Sequence, residues 1–291
     1  MKQPLLFWLL AFVLTAASAI YQRMTGPTYP ERGSVVIGGN TVHYRFERTH
    51  AGETPETVRL QIDDPSVHGV LAWKHHNSDE NWTRVVMVRQ AGDLTGDLPG
   101  QPAAGKLDYQ VTLTRAEETV LVPKTDPVVI RFRGDVPAAI LIIHITLMFS
   151  GMLLSTRTGL EFFSREPNTK KLILWTMSVL FAGGMILGPV VQWYAFGAFW
   201  TGWPFGHDLT DNKTAAALLA WIIAWYALKR SGKPARWALT AALVTLAVYM
   251  VPHSVLGSEL KYEPSGSKPP AAQIIIREDH PAALHDNNQG A

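Results

Sequence analysis

Residues 138–154, AAILIIHITLMFSGMLL, are apolar almost without interruption, and few folds accept such a run. In lipid a segment must satisfy its own backbone polar groups, which leaves helix as the expected form. The surrounding stretch 136–155 has the roughly twenty residues that cross a bilayer core. Immediately upstream, Val128, Ile130 and Phe132 alternate with Arg131 and Arg133, the period-two pattern of a half-buried strand. Only Gly134-Asp135-Val136-Pro137 separates the two patterns. A water-facing β domain is therefore expected to meet a membrane domain across one short turn.

Three further apolar segments, 172–193, 214–228 and 237–251, complete an expected four-span helical domain over 136–252. The last two hold about fifteen residues each, near 22 Å of helix, so they should continue into their flanks or lie where the bundle is thin. Arg157, Arg165, Lys170 and Lys171 lie between the first pair, and Lys229, Arg230, Lys233 and Arg236 between the second; the loop joining the pairs carries only Lys213. Basic loops stay cytoplasmic, which places the β domain, the central loop and the C-terminus on the outer side.

Residues 1–19, MKQPLLFWLLAFVLTAASA, support the same orientation. Lys2, an apolar run and Ala17-Ser18-Ala19 match the grammar of a signal peptide, and Ile20 and Tyr21 extend the run toward an N-terminal anchor. Either form sends the next segment of chain out of the cytoplasm. The expected location is a bacterial inner membrane, with the β domain periplasmic.

Residues 30–134 alternate in short segments between turn residues: 34–37, 41–46, 58–62, 69–73, 82–88, 107–113, 119–122 and 128–132. Gly38-Gly39-Asn40 reads as a tight hairpin. No helical period intervenes, so an all-β sandwich is expected. Tyr109, in GKLDYQVTL after a Pro/Gly-rich stretch, resembles the tyrosine-corner region of immunoglobulin-like and fibronectin type III sandwiches over about fifteen residues. That resemblance implies a fold and no activity.

Several chemistries are excluded. With no cysteine there are no disulfides, thiolate metal sites or iron–sulfur clusters. A net charge of +2 without a basic, aromatic-interleaved patch gives no footprint for nucleic acid. No Gly-x-Ser-x-Gly, phosphate loop or Gly-x-Gly-x-x-Gly motif occurs.

Among candidate residues, His75 and His76 are adjacent, and on a strand neighbouring side chains diverge; a solvated loop is the expectation. His144 is the one ionisable group well inside an expected span, and such groups are functional hypotheses by default. It is read as a cofactor-binding residue or as an imidazole bonded across helices to Thr146 or Thr176. His207, Asp211 and His253, all near the outer face, are candidates for a cation or proton site, with helix capping as the simpler role for Asp208 and Asp211. A b-type haem needs two axial ligands at one depth. No histidine lies level with His144, which disfavours haem within a single chain.

The central loop holds Trp193, Tyr194, Phe196, Phe199, Trp200, Trp203 and Phe205, suited to the headgroup region or to docking beneath the β domain. The tail, 253–291, is polar and reads as flexible, apart from Gln273-Ile274-Ile275-Ile276-Arg277, which is expected to add to a sheet edge or remain unpaired. Together these features predict a membrane protein acting by interaction, sensing or assembly, as an accessory subunit with the bilayer and a protein partner. Redox or proton handling through His144, and transport, are the alternatives.

Overall fold

The computed structural model describes residues 2–165, 167–206, 208–230, 233–252, 259–260 and 274–275. The chain opens with helix α1, Lys2–Thr25, continuous through Ala17-Ser18-Ala19. Phe7, Ala11, Thr15 and Ser18 are buried along it. Their spacing of three or four residues forms one helical face, and that face packs on the membrane-domain helices described below.

The β-rich region comes next. Strands β1, Glu31–Ile37, and β2, Asn40–Phe46, pair as a hairpin with Ile37 opposite Asn40. Gly38 and Gly39 form its two-residue turn with φ of 57° and 77°, the left-handed values that a primed turn requires and glycine adopts without strain. The remaining strands are β3, Thr49–Ala51; β4, Glu56–Gln61; β5, His68–His75; β6, Thr83–Val86; β7, Val88–Gln90; β8, Asp93–Leu98; β9, Lys106–Arg115; β10, Glu118–Val122; and β11, Val128–Arg133. The largest sheet runs β3-β11-β9-β5-β6, with β10 also on β9; a second runs β4-β8-β7. All pairs are antiparallel except β11 with β3.

One apolar core joins these sheets. Strand β9 shows how: Leu107, Tyr109, Val111 and Leu113 point inward and the residues between them outward. Phe46, Leu60, Leu71, Leu98, Ile130 and Phe132 fill the same core. Each such side chain contributes about 1.5–3 kcal/mol by leaving water.

All eight expected segments form strands; one of them splits, and two strands, β3 and β8, were not expected. The stretch 82–88 splits at Met87 into β6 and β7, which belong to different sheets; Met87 is buried and its amide donates to Gly69 O at 2.9 Å. Strand β8 was not expected, because the turn-forming residues Asp93, Gly96 and Asp97 interrupt its sequence. It is a strand because β4 and β7 flank it. The Tyr109 resemblance is also corrected in detail. The hydroxyl of Tyr109 donates to Glu47 O at 2.7 Å, 62 residues upstream, where a tyrosine corner bonds only a few residues back.

From Ala138 to Met250 the described residues are mainly helical. Helix α2, Ala138–Gly159, passes into a 3-10 turn, Leu160–Phe163. A second stretch, Thr169–Phe196, comprises α3, Thr169–Leu180, a π-helical segment, Phe181–Leu187, and α4, Gly188–Phe196. Helices α5, Leu209–Arg230, and α6, Pro234–Met250, complete the bundle. Pro4–Thr25, Ala138–Phe163 and Thr169–Phe196 are long and apolar enough to cross a membrane; α6 is apolar but shorter.

Small residues bring these helices together. A Cβ on Gly184 would stand 2.4 Å from Thr214 Cγ2, and one on Gly159 2.5 Å from Ala242 Cβ. The extension of α2 moves Arg157 out of the expected loop. It is 6% exposed, pairs with Glu161, itself 2% exposed, and lies over the rings of Phe7 and Trp8 in α1. His144 is thus not alone: a buried ion pair lies at the opposite end of the same helix.

In the tail, β12, Glu259–Leu260, pairs with β13, Ile274–Ile275, and the Leu260 amide donates to Ala104 O at 3.1 Å. The isoleucine island therefore gains a strand partner from the tail itself, and that partner bonds the β-rich region.

Candidate functional site

His144 is held where the second helical stretch departs from α geometry. Pro189 has no N–H to give to the preceding turn, and the seven residues before Gly188 wind as a π-helix, with Gly188 N donating to Gly183 O. That carbonyl retains a second lone pair, which accepts from His144 Nδ1 at 2.9 Å. Neither threonine named as a partner is used. Thr146 Oγ1 returns to Ile142 O, and Thr176 Oγ1 lies 3.0 Å from Thr158 Oγ1. Because a carbonyl only accepts, Nδ1 carries the proton of this bond. In the uncharged ring Nε2 is then an acceptor.

The imidazole lines two cavities. The first, about 310 Å³, lies under the β-rich region and is also lined by Arg131, Gln192, Phe196, Asp208 and Asp211. Arg131 comes from β11 and is 8% exposed, with its guanidinium carbon 4.3 Å from the centroid of the Phe196 ring. That distance suits a cation–π contact. Beside it, Gly134 N donates to Ala195 O at 2.9 Å. A Cβ on Gly134 would come within 2.2 Å of Tyr194 O, so the strand end approaches the helix end only because the side chain is missing.

The aromatic loop is tied down from α5. Asp211 Oδ2 accepts from Thr201 N at 2.7 Å and Gly202 N at 2.9 Å; Asn212 Oδ1 accepts from Trp203 N at 2.7 Å. Asp208 Oδ1 accepts from Thr210 N at 2.7 Å, the role of an N-cap side chain. Trp193 and Phe199 stack with centroids 4.5 Å apart and planes at 12°. Trp203 and Phe205 stay largely exposed, at 75% and 81%.

The second cavity, about 260 Å³, lies between α1, α2 and α6 and is lined by Gln22, Arg23, Thr28, Met148, Phe149 and Tyr249 besides His144. Gln22 Nε2 is buried and has no hydrogen-bond partner among the described residues. Lys213, counted from sequence as a loop charge, is 7% exposed, and its Nζ donates to Val251 O at 2.7 Å at the end of α6, where a cation suits the helix dipole.

The structure thus brings His144 and Asp211 to one cavity wall. His207 and His253 lie outside the described residues, so their place beside Asp211 is a matter of sequence alone. Among the described residues no group of three or more His, Asp or Glu side chains is arranged to hold a metal. In the β-rich region His75 faces Glu80, with Nδ1 at 2.8 Å, and His76 faces Asp108 at 2.6 Å, so the adjacent histidines diverge to separate carboxylates. Gln22, Arg131 and Gln192 were not singled out by sequence. An arginine beside a boundary and glutamines near helix ends carry no pattern of their own.

The β-rich region and the apolar helices define the class, a membrane protein with a β-structured N-terminal half. No family model, curated protein or solved structure matches the chain.

Proposed function

We propose that this chain is a non-catalytic interaction, sensing or assembly subunit of a bacterial inner membrane. Its exported immunoglobulin- or fibronectin III-like sandwich is carried on a helical bundle in which α1 stays as an anchor. The carrying observation is the seat between the two regions. Arg131 on Phe196 and Gly134 N on Ala195 O hold the strand end directly on the helix end, so a load on the sandwich reaches the bundle without a flexible tether. Retention of α1 is supported by the burial of Phe7, Ala11, Thr15 and Ser18 and by the rings that cover Arg157. Cleavage after Ala19 would uncover all of these.

The positive-inside rule orients the bundle, with the sandwich and aromatic loop outside. Since the chain has no cysteine, single substitutions report sidedness cleanly. Glu117→Cys should react with a membrane-impermeant maleimide on intact cells, and Pro167→Cys only after permeabilisation; the reverse pattern refutes the orientation.

For the function itself, the full chain purified from native membranes should run as a stoichiometric complex larger than its own mass. Four Gly/Ser residues inserted between Gly134 and Asp135 should dissociate or inactivate that complex. A wild-type chain that runs alone refutes the subunit role. His144 is the only histidine within the described helices, so a b-type haem on it would need its second axial ligand from outside those helices or from a partner subunit.

A further inference from the structure

We propose that the cavity between α1, α2 and α6 is a binding site for a membrane-dissolved amphiphile with a hydroxylated ring, of the quinol type. The site stands apart from the subunit role argued above but rests on the retention of α1, because Gln22 and Arg23 of that helix line it.

Three observations select the ligand. First, the polar groups ask for complementary partners. With Nδ1–H committed to Gly183 O, the uncharged His144 ring accepts through Nε2 and so calls for an O–H donor. Gln22 lines the same cavity, and its Nε2, enclosed and without a partner among the described residues, would meet an oxygen acceptor of the ligand on a turn of the side chain. A ring bearing hydroxyl groups supplies both, and gives the enclosed amide the partner it lacks. Second, the walls suit a flat ring: Phe149, Tyr249 and Met148 line the cavity, and aromatic and thioether side chains make favourable contacts with ring faces and edges. Third, size and access agree. About 150 Å³ admits benzene, so about 260 Å³ leaves room for ring substituents. Phe149, 44% exposed, forms a lip beside Ile142 and Ile145, which are also exposed, so an aliphatic tail can remain in lipid. Binding alone is proposed.

The test uses the full chain in nanodiscs, with intact mass confirming that α1 is present, and anaerobic equilibrium binding of tritiated decyl-para-benzoquinol over empty nanodiscs. Saturable binding is expected. The dimethyl ether of the same probe, which has no O–H to give to Nε2, should bind about ten-fold more weakly. Gln22→Leu should weaken the quinol and the ether alike by several-fold and leave the quinol's advantage in place, while the unfolding temperature holds. His144→Phe should remove the advantage. Absence of saturable binding, or equal affinity for quinol and ether in the wild-type chain, overturns the assignment. The ether comparison depends on no variant folding correctly.

Discussion

The β-rich region and the helical bundle use polar groups in opposite ways. In the first, large apolar side chains such as Phe46, Leu107 and Phe132 fill the interior, and charged pairs such as Arg59–Asp93 and Arg115–Asp64 stay at the surface. In the second, alanines 217, 224, 238, 241 and 242 dominate the buried set around Trp221. Polar groups are interior: Arg157 with Glu161, Trp221 Nε1 on Thr245 Oγ1 at 2.9 Å, His144 on Gly183 O. The difference comes from the solvent. Water drives apolar side chains inward, but lipid does not separate Leu from its surroundings, so helices associate by close contact and internal hydrogen bonds. The histidine site belongs to the second regime, and it lies directly beneath the first.

The contrast predicts how each half breaks. Phe132→Ala should cost about 3–5 kcal/mol, seen as loss of β signal by circular dichroism at lower denaturant with the helical signal held; simultaneous loss of both would show that the halves unfold as one unit. In the bundle, Arg157→Met alone strands Glu161 in a buried position and should cost about 3–5 kcal/mol. Arg157→Met with Glu161→Leu should recover most of that. Helical melts of the two variants in detergent distinguish them, and equal losses would show that the pair contributes more than its own desolvation. Gly184→Leu should cost about 1–3 kcal/mol by pushing the π segment away from Thr214, with the β melt unchanged.

The smallest effect is at the surface of the β-rich region. Hydrogen bonds from the Ser66 hydroxyl and amide, with help from the Arg115 guanidinium, hold the Asp64 carboxyl below its ordinary value of 3.8. A depressed folded-state pKa means that the contribution is complete above the ordinary value and is lost as pH falls through the lower one. Asp64→Asn should therefore flatten the acid limb of β-domain unfolding and leave the neutral-pH limb nearly unchanged; an unchanged acid limb would show that another carboxylate governs it.

Much of the architecture was readable because its causes are local. Period two marked β1, β2, β4, β5 and β9, and unbroken hydropathy marked α2. Strand β8 escaped because Asp and Gly are turn formers until two neighbouring strands pair with them. The partner of His144 escaped because it is the second lone pair of a backbone carbonyl 39 residues away. The sequence suggests a cap role for Asp208 and Asp211, and Asp208 fills it. Asp211 instead turns back to the aromatic loop, whose backbone amides a sequence does not locate.

By itself, then, the sequence determined a β-rich half, apolar helices able to cross a membrane, and a turn too short to let the halves separate. Composition and period act within a few residues, so they can be counted along the chain. Only the tertiary structure decided that α1 lays a buried face on the bundle, that Arg131 meets Phe196, and that His144 stands between two cavities. Those outcomes depend on which polar group finds a partner across tens of residues. Each unpaired group is costly enough in a dry interior to select one packing over another.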